Sequence, residues 1–105
     1  MARYTFLVMI NPAEGQDDTL NAWLDDVHLK ETLETEGFIS VKRFELAPEE
    51  ANNPRAKHRY MHMYEVETDN LAETMKALAA AGPTRTPPPP ALKVSDMQLG
   101  FYKAR

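Results

Sequence analysis

The chain has 105 residues, a net charge of −4 and no cysteine. This length predicts one domain with a single core over residues 1–105, and the acidic balance argues against nucleic-acid binding, which needs a basic face. Disulfides and thiolate metal sites are excluded, and no stretch approaches the roughly 20 apolar residues that cross a bilayer, so we expect a soluble, cytoplasmic protein with no membrane or nucleic-acid partner.

Residues 4–10 are apolar at nearly every position and rich in aromatic and branched side chains. This composition is typical of a central strand that is covered on both faces. Asn11 and Pro12 end the run abruptly, and no small-residue cleavage signal follows. The segment therefore predicts a strand and not a signal peptide.

An acidic helix follows, with Asp17 or Asp18 positioned to cap its first turn. Its first apolar face is formed by Leu20, Trp23, Leu24 and Val27. Leu29 falls on a different face, because nine residues at about 100° each place it about half a turn from Leu20. We expect the helix to bend or restart near His28, whose side chain would then project from the end of an element.

Gly37 suits the left-handed conformation that closes a helix, and Phe38 opens a second strand over residues 38–46. Strict alternation would place Phe38 on the same side as Ser40 and Phe44, with Arg43 on the other. The polar connection that follows carries a small basic cluster, which we interpret as exposed, solvated charge: Arg55, Lys57, His58 and Arg59.

The third strand, residues 59–67, alternates clearly between two classes of side chain. One face carries Tyr60, His62, Tyr64 and Val66, and the other carries Met61, Met63, Glu65 and Glu67. We interpret the two methionines as core residues beneath a helix, since methionine fills irregular gaps in packed interiors.

The last third of the chain predicts a helix, a proline-rich crossing and a strand. Asn70 and Glu73 resemble a capping box, and Gly82-Pro83 terminates the helix. The inner stripe of this helix would be Leu71, Met75, Leu78 and Ala79. Residues 87–90 are four prolines, which we interpret as a stiff surface connection to a fourth strand over residues 97–103.

The order strand, helix, strand, strand, helix, strand predicts an α+β fold of the ferredoxin-like type. Right-handed crossovers then give an antiparallel four-stranded sheet with both helices on one face. The strands carry large or apolar residues on both faces, so a monomer would leave the second face in water. We therefore expect a homodimer that packs sheet to sheet.

The residues also resemble a known superfamily. The segment from Trp23 to His28, the Gly37-Phe38 entry into a strand, and the Tyr-x-His-x-Tyr third strand are similar to the dimeric α/β-barrel superfamily, and specifically to its EthD-like branch. The resemblance implies a pocket in each subunit, between the helix-free sheet face and the loops above it. Its members include cofactor-free monooxygenases, polyketide cyclases, isomerases, haem-handling enzymes and proteins of unknown role, so the fold does not name a reaction.

The resemblance also bears on the two histidines. EthD-like proteins carry a histidine after the first helix, commonly in a His-His-x-x-Pro segment, whereas this chain has His28 without the second histidine or the proline. His62 is similar in position to the third-strand histidine that lines the cavity of some polyketide cyclases. Both are candidate catalytic residues, because histidine has an ordinary pKa near neutrality.

Four further residues are candidates for binding a substrate. Tyr60 and Tyr64 suit stacking on a flat ligand or donating hydrogen bonds to an enolate oxygen, or else a dimer interface. Trp23 suits the core or a ligand platform, and Arg43 suits a substrate carboxylate or a salt bridge. Asp25 precedes His28 by three residues and is a candidate to orient its ring.

Two functional hypotheses follow from these residues. The first is a cofactor-independent enzyme that moves protons on a small hydrophobic, aromatic or polyketide-like molecule, as a cyclase, isomerase, lyase or monooxygenase. The second is a non-catalytic dimer that binds a small molecule or supports a stress or catabolic pathway. We expect no cofactor. We also expect no metal, since His58 and His62 lie four residues apart in a strand and cannot chelate together.

Overall fold

The computed structural model describes all 105 residues and contains an antiparallel sheet with the strand order β2-β3-β1-β4. The strands are β1 (Ala2–Pro12), β2 (Phe38–Glu45), β3 (Tyr60–Thr68) and β4 (Leu92–Tyr102). The helices are α1 (Asp17–Trp23), a π-helical turn (Leu24–His28), α2 (Leu29–Leu33) and α3 (Leu71–Ala81), with short 3-10 turns at Pro48–Glu50 and Gly82–Thr84. This is the ferredoxin-like arrangement predicted from the sequence.

β1 lies at the centre of the sheet, as its composition predicts. It pairs with β3 without interruption from Ala2 opposite Thr68 to Ile10 opposite Tyr60, and it pairs with β4 along its other edge. We call α1, the π-helical turn and α2 together the first helical region. The core contains residues of β1, of this region and of β3: Phe6, Val8, Ile10, Leu20, Leu24, Leu29, Tyr60, Tyr64 and Val66 among them. None of the helices is long and apolar enough to cross a membrane.

The helices cover the sheet face that carries the tyrosines and His62. Tyr60, Tyr64 and His62 are 6%, 1% and 1% exposed, whereas Met61 and Met63 on the opposite face are only partly buried. The prediction that the methionines lie beneath a helix is therefore wrong. Alternation separates the two faces of a strand but does not show which face a helix will cover.

A bulge in β2 changes the side on which Phe38 lies. Phe38 is opposite Val66 and Ser40 is opposite Glu65, so Ile39 is an additional residue between two consecutive partners. Phe38 is consequently buried in the core, while Ser40, Lys42 and Phe44 lie on the opposite face of the sheet. The prediction that Phe38 and Ser40 share a face is wrong for this reason.

The first helical region breaks where the sequence predicts it. The Leu29 N–H donates to the carbonyl of Leu24, five residues earlier, which defines the π-helical turn. In a regular α-helix, residues five apart are separated by about 140° around the axis. The wider turn brings Leu29 back under Leu24, so Leu20, Leu24 and Leu29 are all buried on one face.

Gly37 has the positive φ predicted for it, at 96°. A Cβ atom there would lie 3.1 Å from the carbonyl oxygen of Glu67, whose own N–H donates to the carbonyl of Gly37. Gly37 therefore joins the end of the first helical region closely to β3, and a side chain would disturb that contact.

The connections differ from the sequence predictions in two places. β4 begins at Leu92 and not at residue 97, with a register shift opposite Ile10 that leaves residues 94–97 without regular partners in β1. His58 is only 9% exposed, and its Nε2 lies 2.6 Å from the carbonyl oxygen of Asp96. The interpretation of His58 as solvated charge is wrong, because the Asn11 side chain bonds the backbone of Lys57 and of Arg59 and holds this loop against the sheet.

Candidate active site

A cleft of about 310 Å³ lies on the helix-covered side of the sheet. Its floor is formed by β1 and β3, and one wall by the first helical region. The opposite wall is formed by the end of α3, the irregular part of β4 and the segment Arg85, Thr86, Pro87 and Pro88, which we call the proline strap. The cleft is predominantly apolar and contains few titratable groups.

Trp23 and His28 form one wall as a stacked pair. Their ring centroids are 4.5 Å apart and their planes differ by 17°. Five residues separate them, so in a regular α-helix the two side chains would diverge by about 140°. The π-helical turn removes this divergence, and the backbone irregularity is therefore what builds the flat wall.

Tyr64 forms part of the floor. Its ring stacks against Phe6 at 5.7 Å between centroids, and its hydroxyl is buried without a hydrogen-bond partner, although Thr32 lies nearby. Burial raises the pKa of Tyr64 to about 12. The phenol is therefore protonated at neutral pH and is available to donate a hydrogen bond.

His28 is half-buried, and desolvation lowers its pKa below the ordinary value of 6.5. The positive charge of Arg85 lowers this pKa further, while the negative charge of Glu31 opposes the shift. His28 is consequently neutral at pH 7, and a neutral imidazole is able to accept a proton.

His62 lies behind Tyr64 and does not line the cleft. Its ring is edge-on to that of Tyr64 at 5.4 Å, and neither ring nitrogen has a hydrogen-bond partner. Burial lowers the pKa of His62 to about 3, with smaller contributions from the His28 ring when it is protonated and from the positive charge of Arg43. His62 is therefore neutral over the whole physiological range.

Tyr60 and Arg43 belong to a separate polar network on the same side of the sheet. The Tyr60 hydroxyl donates to Asp17 at 2.8 Å. The Arg43 guanidinium lies over the Tyr60 ring and donates to Asp25 at 3.1 Å and to Asn21 at 2.7 Å. Neither Tyr60 nor Arg43 lines the cleft. Arg43 forms a salt bridge with Asp25, so the carboxylate that was a candidate to orient His28 is paired with Arg43.

The structure thus brings three of the six candidate residues to one cleft: Trp23, His28 and Tyr64. It adds Thr32, Leu78 and Arg85, which sequence reasoning missed. Arg85 had a weak signal, as a single cation two residues before the proline run, but only the folded chain places it beside His28. No cluster of three or more histidine, aspartate or glutamate side chains is arranged to hold a metal ion.

The cleft also corrects the location implied by the resemblance. That location was the helix-free sheet face, whereas the histidines and Tyr64 lie on the helix-covered face. The helix-free face carries shallow depressions lined by residues such as Met63, Phe44 and Met9, and no histidine reaches them.

The comparison with known proteins rests on structure, since no family profile and no curated protein matches the chain in sequence. A protein from Shewanella loihica PV-4 proposed to be a monooxygenase superposes with a TM-score of 0.64 and 8% identity over 99% of this chain and 95% of the other. A dimeric ferredoxin-like protein of unknown function from Jannaschia sp. CCS1 gives 0.63 and 8% over 98% and 100%. An EthD family protein from Bacillus halodurans C-125 gives 0.60 and 13% over 98% and 99%.

The EthD-like resemblance is confirmed at the level of the fold. The three structures superpose on this chain along nearly its whole length, although only 8% to 13% of the aligned residues are identical. An EthD-like fold places no reaction in the cleft by itself, so the chemistry has to be argued from the side chains found there.

Proposed function

We propose that this EthD-like chain is a cofactor-independent enzyme that transfers protons on a small, planar, hydrophobic molecule bound in the cleft. One observation carries the proposal: a neutral His28 and a protonated Tyr64 line the same largely apolar cleft. A base and a hydrogen-bond donor in a site of low polarity are what proton abstraction next to a carbonyl requires.

In this mechanism His28 accepts a proton from a carbon atom adjacent to the substrate carbonyl. The electron pair of the broken C–H bond moves towards the carbonyl, and the enolate oxygen accepts a hydrogen bond from the Tyr64 hydroxyl. Once the imidazolium proton of His28 has exchanged with solvent, delivery of a solvent-derived proton to the same carbon gives exchange, whereas delivery of a proton to a different carbon gives an isomer. No oxidant, reductant or metal takes part in the step.

The other candidates take supporting roles in the proposal. Trp23 provides a flat surface for the substrate and holds the His28 ring by stacking. His62 is a positioning residue, since it contacts the Tyr64 ring from behind and does not reach the cleft. Tyr60 and Arg43 stabilise the fold at the other end of the first helical region.

Hydrogen–deuterium exchange tests the proposal directly. The protein is incubated with 2-tetralone, an enolisable bicyclic ketone, in D₂O, and loss of the α-proton signals is followed by NMR. We expect wild-type protein to accelerate exchange over buffer, His28→Gln to lower the catalysed rate about 10²- to 10⁴-fold, and Tyr64→Phe to lower it about 10²- to 10³-fold.

The chain offers matched controls for both substitutions. Tyr60→Phe changes a buried tyrosine on the same strand and face, and His58→Gln changes a buried histidine; neither residue lines the cleft. Both variants should retain the wild-type exchange rate. If 2-tetralone perturbs the signals of cleft residues but its exchange is not accelerated, the chain is a binding protein and the catalytic proposal is wrong.

We also propose that the chain forms a homodimer through the helix-free face of the sheet. The exposed fractions of Phe44 and Tyr102 on this face are 42% and 60%, and Met61, Met63 and Leu7 lie beside them partly buried. An apolar surface of this kind is usually covered by a partner. The dimeric state of the similar protein from Jannaschia supports the proposal.

Sedimentation equilibrium distinguishes a dimer from a monomer of 11.9 kDa. Met63→Lys places a charge on the proposed interface and should yield a monomer. Met75→Lys is the matched control, because Met75 is 46% exposed on α3 and lies on the other side of the molecule. A wild-type protein that sediments as a monomer at micromolar concentration contradicts the proposal.

A further inference from the structure

Arg85 is the only permanently charged side chain that lines the cleft. It is half-buried, and no carboxylate lies within 4.0 Å of its guanidinium. Its one protein hydrogen bond runs from Nη2 to the Thr35 hydroxyl at 2.7 Å. A guanidinium carries five N–H donors in a fixed fork, so most of its donors are free.

The acidic residue that contacts the proline strap does not pair with Arg85. The Glu31 carboxylate accepts hydrogen bonds from the Thr86 N–H at 3.1 Å and from the Thr86 hydroxyl at 2.9 Å. The bonds from Thr86 to Glu31 and from the Arg85 side chain to Thr35 tie the strap to α2 and to the residues just after it. The guanidinium is thus held at the cleft by its neighbours and not by a countercharge.

Two further donors on cleft residues also lack partners. The Tyr64 hydroxyl and the Trp23 Nε1 are buried without a hydrogen bond. The indole N–H can only donate, and the guanidinium can only donate. The guanidinium and these two buried groups are all able to donate, so a ligand that reaches them has to supply acceptor oxygens.

The remaining, apolar surface of the cleft indicates the shape and polarity of the rest of such a ligand. The Trp23–His28 stack is flat, and the rim opposite includes Val94 and Leu99, which are 63% and 59% exposed. Exposed aliphatic side chains at the mouth of a cleft favour an apolar ligand that covers them. A ligand that matches this surface would be planar and hydrophobic except for an acceptor group.

We propose that the cleft binds a planar aromatic carboxylate, with its ring against the Trp23–His28 stack and its carboxylate paired with the Arg85 guanidinium. This inference rests on the proposed function and narrows its substrate class from hydrophobic carbonyl compounds in general to those that also carry a carboxylate on the planar ring system. Arginine pairs with a carboxylate through two parallel hydrogen bonds, which fixes the orientation of the ligand as well as adding affinity. The chain carries a net charge of −4, whereas the one permanently charged side chain that lines the cleft is the cation Arg85.

The single tryptophan of the chain provides the reporter for a test. Binding of 2-naphthoate and of its neutral isostere 2-naphthamide is measured by calorimetry and by the ¹H–¹⁵N signal of the Trp23 indole. We expect 2-naphthoate to bind about 10- to 100-fold more tightly than 2-naphthamide, as a charged hydrogen-bonded pair provides. Arg85→Gln should remove this preference and leave 2-naphthamide binding within about two-fold of wild type.

Two further variants separate charge from geometry. Arg85→Lys keeps the charge but not the fork, and should retain only part of the preference. Arg59→Gln, at an arginine that pairs with Asp17 away from the cleft, should leave both affinities unchanged. Thermal melting of each variant shows that it is folded.

The outcomes distinguish this inference from the function on which it rests. Equal binding of 2-naphthoate and 2-naphthamide, or an equal loss of both in Arg85→Gln, overturns the carboxylate assignment while the cleft remains a site for neutral ketones. Failure of both ligands to shift the Trp23 indole signal overturns the cleft as a ligand site and the proposed function with it. Tight 2-naphthoate binding, together with 2-tetralone that shifts the Trp23 indole signal but is not exchanged, supports the ligand class and overturns the catalytic step.

Discussion

The buried His62 predicts a specific loss of stability as the pH falls. In the unfolded chain the imidazole takes up a proton near its ordinary pKa of 6.5, whereas in the folded protein burial holds this pKa at about 3. The unfolded state therefore binds more protons at every pH between these values. The contribution of His62 to stability is fully present above pH 6.5 and is lost progressively as the pH falls towards 3.

The size of the effect follows from the separation of the two pKa values. Each pKa unit corresponds to about 1.4 kcal/mol, so the full window amounts to about 5 kcal/mol. Between pH 7 and pH 5 only the unfolded chain titrates, and the loss is about 2 kcal/mol. This smaller figure changes little with the folded pKa as long as it stays below 4, which makes it the better quantity to measure.

Chemical denaturation at pH 7 and pH 5 measures the loss, at one protein concentration because association also affects stability. His62→Leu is the comparison, since it removes the titrating ring, and no hydrogen bond is lost because neither ring nitrogen has a partner. The lowered pKa of His28 contributes in the same direction to both proteins, so it cancels in the difference.

We expect His62→Leu to be at least as stable as wild type at pH 7 and to lose about 2 kcal/mol less on going to pH 5. An identical pH dependence in the two proteins would refute the reasoning. It would mean that His62 becomes protonated in the folded protein near pH 6, and hence that its site is wet.

The glycines, the α3 cap and the strap give three further predictions. Gly37→Ala should lower the free energy of unfolding by about 1 to 3 kcal/mol, because the φ of Gly37 is positive and a Cβ would approach Glu67. Gly82→Ala is the control: Gly82 has a helical φ and open space around it, so the substitution should be neutral or slightly stabilising. Asn70→Ala removes the side chain that caps the Glu73 N–H and should lower the unfolding free energy by about 1 kcal/mol; no change would show that water caps the helix equally well. Glu31→Gln weakens the hydrogen bonds between Glu31 and Thr86, so it should speed hydrogen exchange at the Thr86 amide without changing global stability by more than about 1 kcal/mol. Equal protection of this amide in both proteins would contradict the role of Glu31 in holding the strap.

The sequence predicted several features that depend on neighbours along the chain, but not the start of α1, where Gln16 is the N-cap residue and neither Asp17 nor Asp18 caps the helix. The phase difference between Leu20 and Leu29 indicated the break in the first helical region, and the cap at Asn70 and the positive φ of Gly37 followed from residue type. Element order then gave the sheet topology, because ferredoxin-like connections leave few alternatives.

The features that were missed depend on contacts between distant segments. Alternation in β3 could not show that the tyrosines, and not the methionines, face the helices. The additional residue Ile39 in β2 has no signal in composition, yet it reverses the side on which Phe38 lies. Arg85 reaches the cleft only because the strap folds back over α2, where Glu31 and Thr35 bond it.

The π-helical turn links the packing of the core to the geometry of the cleft. Leu29 packs beneath Leu24 and His28 stacks on Trp23 through the same five-residue step. An α-helical turn there would turn Leu29 out of the core and His28 away from Trp23 by about 140° each. A substitution that restores α-helical geometry would therefore lose the leucine packing and the Trp23–His28 wall together. Because Leu29 is only 7% exposed, its burial stabilises the π-helical turn whatever the cleft binds.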